Sequence, residues 1–275
     1  MITTIGTSGF SFKDWKGVFY PENTKPSEYL EYYQKFFNTV EINMTYYTIP
    51  SAKTFERMIG ITPEAFEFMV KTNQATTHDL KDEEIFTAFS ESLQPLREAS
   101  RLSGVLAQFP WRFRNSEQNR KYLARCADRY GDIPLFVEFR HNSWFRDEVF
   151  DFLRMNRLYY VSVDEPQIGE MMPPEARATG DVAYVRFHGR NSATWWGKSG
   201  DRYDYNYSVE ELGEWIDKVE ELEKGVWKLY AFFNNCHQGY AVRNAIMFKE
   251  LMEKKGLKLW SDSGENKPNC KRALI

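Results

Sequence analysis

The 275-residue sequence predicts an α/β protein, a (β/α)8 TIM barrel forming a single domain over 1–275. Three observations carry that expectation. Eight short β-branched and aromatic runs recur along the chain, stretches of helical periodicity separate most of them, and the length suits a barrel of roughly 250 residues. Strands that alternate with helices pair in parallel through right-handed crossovers, and a count of eight favours closure. An open doubly wound sheet is the structural alternative.

The strands are expected at ITTIG (2–6), TVEIN (39–43), FEFMVK (66–71), GVLAQF (104–109), LFVEFR (135–140), YYVSVD (159–164), VAYVRFHG (182–189) and KLYAFFNN (228–235). After the first, Tyr29, Leu30, Tyr33, Phe36 and Phe37 share one helical face, with Pro26 suited to a first turn. Pro95 should split the helix that follows Asp82, because its ring and missing N–H break the ladder. Ser116 can cap a helix through Tyr122, Leu123 and Cys126, and Val149, Phe150 and Leu153 mark a short one. Residues 165–181 are too rich in Pro and Gly for a full helix, which leaves long connections after strands 1 and 7 and a poorly helical one after strand 6. Ser208 and Glu211 have capping-box spacing ahead of Leu212, Trp215, Ile216, Val219 and Leu222. The last helix follows Val242, Ala245, Ile246 and Leu251.

Composition narrows the function classes. With 36 basic against 39 acidic residues, the chain lacks the excess of Lys and Arg that general duplex-DNA binding uses. Three cysteines without a C-x-x-C pair, and no basic-then-apolar leader at the N-terminus, fit a reduced, cytoplasmic protein with no membrane partner. The high aromatic share, 16%, leaves rings available for stacking as well as for the core.

Alternation along the strands points polar groups into the lumen. Period 2 leaves Glu41 and Asn43, Glu138 and Arg140, Tyr184, Arg186 and His188, Ser162 and Asp164, and Gln108 inward, with their apolar neighbours facing helices. Lys71, Asn234 and Asn235 extend this set at strand ends. These residues cluster toward the C-terminal ends of the strands, where barrel enzymes place their chemistry. Three acids (Glu41, Glu138, Asp164) then balance three cations (Lys71, Arg140, Arg186), as a self-neutralising network or as a site that leaves cations for a ligand. The loops 7–25 and 189–207 are long for βα connections and should cover one sector, carrying Trp15, Phe19, Tyr20, Arg190, Trp195, Trp196, Lys198, Tyr203, Tyr205 and Tyr207.

At these residues the sequence resembles a known family. IGTSGFSFKDWKGVFYP, FFNTVEINMTYYTIP, TNQATTH with the nearby Leu80, VLAQFP, VEFRHNSW, YVRFHGR and FFNN followed by GYAVRNA are similar to the YecE-like family, domain of unknown function 72. The likeness is collinear over about 2–250, with 256–275 as a C-terminal extension; Phe10 and Phe12 stand where the family leads one to expect Trp and Tyr. It implies a TIM barrel and supplies no settled activity, though a kinship with phosphodiester-cleaving barrels of the endonuclease IV type has been suggested for the family. Glu41, Asn43, Tyr46, Lys71, His78, Glu138, Arg140, His141, Arg186, His188, Arg190, Asn234 and Asn235 lie within its motifs.

The chemistry these residues suit best is the binding and hydrolysis of a phosphorylated, nucleotide-like or nucleic-acid substrate. Arg140, Arg186, Arg190 and Lys71 would neutralise phosphate, with Asn43, Tyr46, Gln108, Trp196, Asn234 and Asn235 as further contacts; Glu41, Glu138, Asp164 and His188 are the catalytic candidates. The partner is then a phosphorylated small molecule or a short single strand. Four histidines and no H-x-H or H-E-x-x-H speak against a His-rich zinc cluster, whereas a Mg2+ or Mn2+ site on Glu41, Glu138 and Asp164 stays open. Glycoside hydrolysis by paired carboxylates is the second enzymatic reading, and a non-catalytic nucleotide or metabolite receptor the non-enzymatic one.

Overall fold

The computed structural model describes residues 1–81, 84–197, 200–222 and 225–260. Lys198, Cys270 and all of the C-terminal extension beyond Trp260 lie outside the described residues. Every expected strand is present: Ile2–Thr7 (β1), Thr39–Ile42 (β2), Glu67–Lys71 (β3), Leu102–Gln108 (β4), Leu135–Glu138 (β5), Leu158–Asp164 (β6), Val182–Phe187 (β7) and Lys228–Phe233 (β8). They run parallel in the order β1-β8-β7-β6-β5-β4-β3-β2, so the chain is a (β/α)8 barrel rather than an open doubly wound sheet.

The seam between β1 and β2 is narrow. Ser8 pairs with Glu41 as a single parallel bridge, and the Gly9 N–H donates to the Glu41 carbonyl at 2.8 Å. Gly6 permits the approach: a Cβ there would lie 2.6 Å from the Thr39 carbonyl oxygen, well inside contact distance.

Helices fill the outer layer: Tyr29–Tyr33 (α1), Ala52–Gly60 (α2), Gln74–Thr77 (α3), Glu84–Ser92 (α4), Gln94–Glu98 (α5), Glu117–Tyr130 (α6), Asp147–Met155 (α7), Val209–Glu221 (α8) and Tyr240–Lys254 (α9). Pro95 separates α4 from α5 as expected, sitting in the first turn of α5 where no N–H is needed. Ser116 caps α6 through the Asn119 N–H, and Ser208 and Glu211 form the capping box of α8. Two faces differ from expectation. Phe36 follows α1 and is exposed, and α9 buries Phe248 and Met252 in place of Ile246 and Leu251, which are partly covered. No helix among the described residues is long and apolar enough to cross a membrane.

The lumen is tiered. At the N-terminal end Lys228 Nζ lies 2.5 Å from both Glu67 carboxylate oxygens, and the Tyr230 hydroxyl donates to Glu67 at 2.9 Å. Above this ion pair, Phe136, Tyr184 and Phe232 meet with ring centroids 5.3 Å apart in each Tyr184 pair, and Tyr230 stacks along Phe232. Burying each such ring contributes about 1.5–3 kcal/mol. The lower barrel is therefore a packed plug that separates the Lys228–Glu67 pair at the N-terminal end from the polar groups of the C-terminal mouth.

Candidate functional site

Arg186, near the end of β7 and 1% exposed, organises the mouth. Its Nε and Nη2 donate to the two Glu41 oxygens at 2.8 and 2.7 Å, and its Nη1 donates to Glu138 Oε2 at 2.5 Å. Bidentate geometry of this kind holds a guanidinium rigidly. The Tyr184 hydroxyl, one turn of the pleat below, also donates to Glu41. Glu138 Oε1 sits 2.7 Å from Arg140 Nη2, which pairs charge, and 3.2 Å from His188 Nε2 on a neutral ring; among the described residues it has no hydrogen bond of proper geometry. Burial alone would raise the Glu138 pKa, yet Arg140 and Arg186 outweigh it and hold the carboxyl well below the usual range.

Arg140 spans two acids, since its Nη1 donates to Glu165. Glu165, buried just past β6, also accepts the Met172 N–H at 3.3 Å, and burial raises its pKa to about 7 despite Arg140. His188 has Arg140 Nη2 3.0 Å from its Nε2 and Asn234 Nδ2 2.9 Å from its Nδ1. Burial, with Arg140 adding to it, lowers the His188 pKa to about 3, so the ring is neutral at physiological pH.

Lys71 completes the inner set. Its Nζ donates to Gln108 Oε1 at 3.1 Å and lies 4.5 Å from the centroid of the Tyr46 ring. Among the described residues it has no carboxylate within ion-pair distance, unlike Arg140 and Arg186. The residue keeps some exposure to the mouth while its ammonium lies deep, and burial followed by Arg186 lowers its pKa to about 8.

A cavity of about 650 Å³ opens above these groups. Lys71, Arg140, Arg186, Gln108, Asn43, Asn234 and Ser8 face it from below; Phe12, Tyr46, Tyr47, His78, Trp111, Trp195, Trp196, Arg202 and Tyr203 stand around it. Glu41, Glu138, Glu165 and His188 do not line it, because they lie behind the guanidiniums. The floor thus presents cations and amides outward and keeps its acids underneath. Asn43 Oδ1 and Trp111 Nε1, both buried atoms at this cavity, have no hydrogen-bond partner among the described residues.

The structure corrects four positions read from sequence. Asp164 is not in the lumen: it accepts from Arg190 Nε and Nη2, the Tyr207 hydroxyl at 2.6 Å and the Trp215 indole at 2.6 Å, so it faces α8. Strand β6 therefore runs in the opposite phase, with Val161 and Val163 toward the lumen and Ser162 bonded to Arg177 in the following connection. Arg190, paired with Asp164, Glu211 and Glu214, is likewise removed from the cavity. Asn235 turns toward α9, donating to Asn244 Oδ1 at 2.7 Å. Glu165 takes the place assigned to Asp164, which restores three acids against three cations. Its signal in the sequence was its position: the residue after an outward Asp164 points inward.

The two long loops also divide. Loop 7–25 packs as a wedge in which Trp15 is fully buried, its indole donating to the Cys236 carbonyl at 2.7 Å, and Tyr20 stacks on Tyr29. From it only Ser8 and Phe12 reach the cavity. Loop 189–207 supplies the rim, with Trp195 over Arg140 and Trp196 63% exposed, whereas Tyr205 and Tyr207 are tied to Glu211 and Asp164. No group of three or more His, Cys, Asp or Glu among the described residues is arranged to hold a metal ion.

Comparisons with known proteins agree on kinship. A family model described as "Protein of unknown function DUF72" matches residues 4–269. The UPF0759 protein YunF of Bacillus subtilis is 34% identical over 268 residues, covering 90% of this chain and 94% of that protein. Among solved structures, a DUF72 family protein of Thermotoga maritima is 45% identical with a TM-score of 0.86, covering 92% of this chain and 100% of the other. One from Enterococcus faecalis is 28% identical with a TM-score of 0.82, covering 92% and 96%. Matched over nearly its whole length in sequence and in fold, the chain belongs to the DUF72 family.

Proposed function

We propose that the mouth is a binding pocket for a phosphorylated, nucleotide-like small molecule, with the anion on the floor and the flat group against the rim. One observation carries this reading: Lys71, Arg140 and Arg186 line the cavity while the acids that balance them do not. An entering anion meets positive charge that is already desolvated and fixed, so little reorganisation opposes binding. The cavity volume, about 650 Å³, lies in the range of small-molecule sites and suits a nucleotide. Trp111, Trp195, Trp196, Tyr46 and Tyr203 offer rings for stacking. A short single strand would use the same two features.

Phosphoester chemistry fits this floor better than glycoside cleavage. A glycosidase needs two carboxylates facing the sugar, roughly 5–10 Å apart. Among the described residues no carboxylate lines the cavity. Arginines that face a phosphoryl group stabilise the charge that builds during its transfer or hydrolysis.

The test is thermal unfolding with adenosine monophosphate, adenosine and inorganic phosphate. The nucleotide should raise Tm most, phosphate should compete with it, and Trp196→Ala should weaken the nucleotide about tenfold while sparing phosphate, since one stacking contact contributes about 1–3 kcal/mol. Millimolar nucleotide and phosphate that leave Tm unmoved would refute the reading. Product analysis of the same mixtures separates a hydrolase from a receptor.

A further inference from the structure

Three cations face the cavity, and one of them is held differently. Arg140 and Arg186 are each clamped by two carboxylates. Lys71 is held by a neutral amide oxygen and the face of a ring. A lysine serving only as a fixed charge gains most from an acid partner, as its two neighbours do. A lysine beside other cations, in a desolvated pocket and without an acid, is the arrangement that yields a nucleophilic amine.

We propose that Lys71 is an imine-forming lysine, whose Nζ condenses with the carbonyl carbon of a phosphorylated aldehyde or ketone seated in the mouth. This rests on the reading of the mouth as a pocket for a phosphorylated ligand, and narrows its substrates to those that also carry a carbonyl group. The anionic end lies on Arg140 and Arg186, which places the rest of the ligand over the same floor as Lys71.

The neutral amine adds its lone pair to the carbonyl carbon, and a C–N bond forms while the C=O π pair moves to oxygen. That oxygen takes up protons and leaves as water as the C=N bond closes. Overall, an ammonium and a carbonyl give a protonated imine and water, with charge conserved and no oxidant or reductant required. Gln108 Oε1, which now accepts from the ammonium, can accept the remaining N–H of the imine, and the Tyr46 face stabilises its positive charge. Both partners are already in place.

The amine is available at neutral pH. With its pKa lowered to about 8, roughly one Lys71 in ten is unprotonated at pH 7, about two orders of magnitude more than for an ordinary lysine. Burial is the main cause; Arg186 and, less strongly, Arg140 add to it, while Glu138 and Glu41 oppose it.

The probe is pyridoxal 5′-phosphate, which combines an aldehyde, a flat ring and a phosphate. The folded full-length protein is incubated with it, reduced with borohydride and mapped by peptide mass spectrometry; pyridoxal is the unphosphorylated control. The proposal expects the reduced adduct on Lys71 at least tenfold above any other lysine, with a labelling rate that climbs through about pH 8. Lys71→Arg should abolish that adduct. Binding of the unreduced phosphate compound, read by thermal shift, serves as the independent check on the pocket. Adducts spread over surface lysines and unchanged in Lys71→Arg, with the thermal shift intact, would overturn the imine and leave the pocket standing. Equal labelling of Lys71 by pyridoxal and its phosphate, with no thermal shift from phosphate, would support the reactive amine and defeat the phosphorylated ligand.

Discussion

Replacing Arg186 by Met tests the electrostatic frame of the barrel mouth. The side chain is almost wholly buried and makes three short donor contacts to Glu41 and Glu138. Methionine keeps much of the volume and removes the charge. Among the described residues Glu41 would retain only the Tyr184 hydroxyl as a side-chain donor, and Glu138 only its ion pair with Arg140. Breaking a buried ion pair on one side costs about 3–5 kcal/mol, chiefly because the remaining charge is uncompensated. For a chain of this size each kcal/mol moves Tm by about 2–4 °C, so the loss should be about 6–20 °C. The assay is urea and thermal unfolding of the wild type, Arg186→Met, Glu41→Gln and the double variant at pH 7. In the double variant the uncompensated Glu41 charge is gone, so part of the loss should return, with a coupling of about 1–3 kcal/mol. A single-variant cost below 1 kcal/mol, or strict additivity, would refute the idea that Arg186 neutralises these acids.

Two further predictions follow from the partners described above. Glu165 has its folded pKa raised to about 7 by burial, above the roughly 4.3 of an unfolded glutamate, so the folded protein holds this proton more tightly. Its contribution to stability is complete below about pH 4.3 and is lost as pH climbs toward 7; Glu165→Gln should flatten that part of the stability–pH curve, and an unchanged slope would count against it. Asp164→Asn should lower stability by about 3 kcal/mol or more by disrupting the acceptor of Arg190, Tyr207 and Trp215, while the folded fraction binds nucleotide or phosphate as the wild type does. A selective loss of ligand affinity, measured by calorimetry, would return Asp164 to the site.

The barrel was legible because its signal is local. Each strand is a short run that carries its own alternation, and Ser116, Pro95 and the Ser208–Glu211 pair mark helix ends without outside help. The inward phase of β2, β5 and β7 was equally clear, since Glu41, Glu138 and Arg186 stand between apolar residues that face helices. Strand β6 misled for a tertiary reason. An outward aspartate is tolerable only when distant donors converge on it, and Tyr207 and Trp215 arrive from 43 and 51 residues further along the chain. No local pattern announces that convergence. Asn235 and Arg190 went astray in the same way, each claimed by an acceptor on another element. Nor does alternation say which member of an ion pair stands in front, so the placement of cations before acids emerged only in three dimensions.

Glu41 has a double role that bears on how the barrel is made. Its backbone closes the ring against Ser8 and Gly9, and its side chain reaches across the ring to Arg186. Glu41 precedes its guanidinium partner Arg186 by 145 residues, so among the described residues its countercharge comes only with β7, whereas Glu138 has Arg140 two residues on. The binding floor is therefore complete only when β2, β5 and β7 stand in one ring, because Arg186 joins the acids of the other two strands.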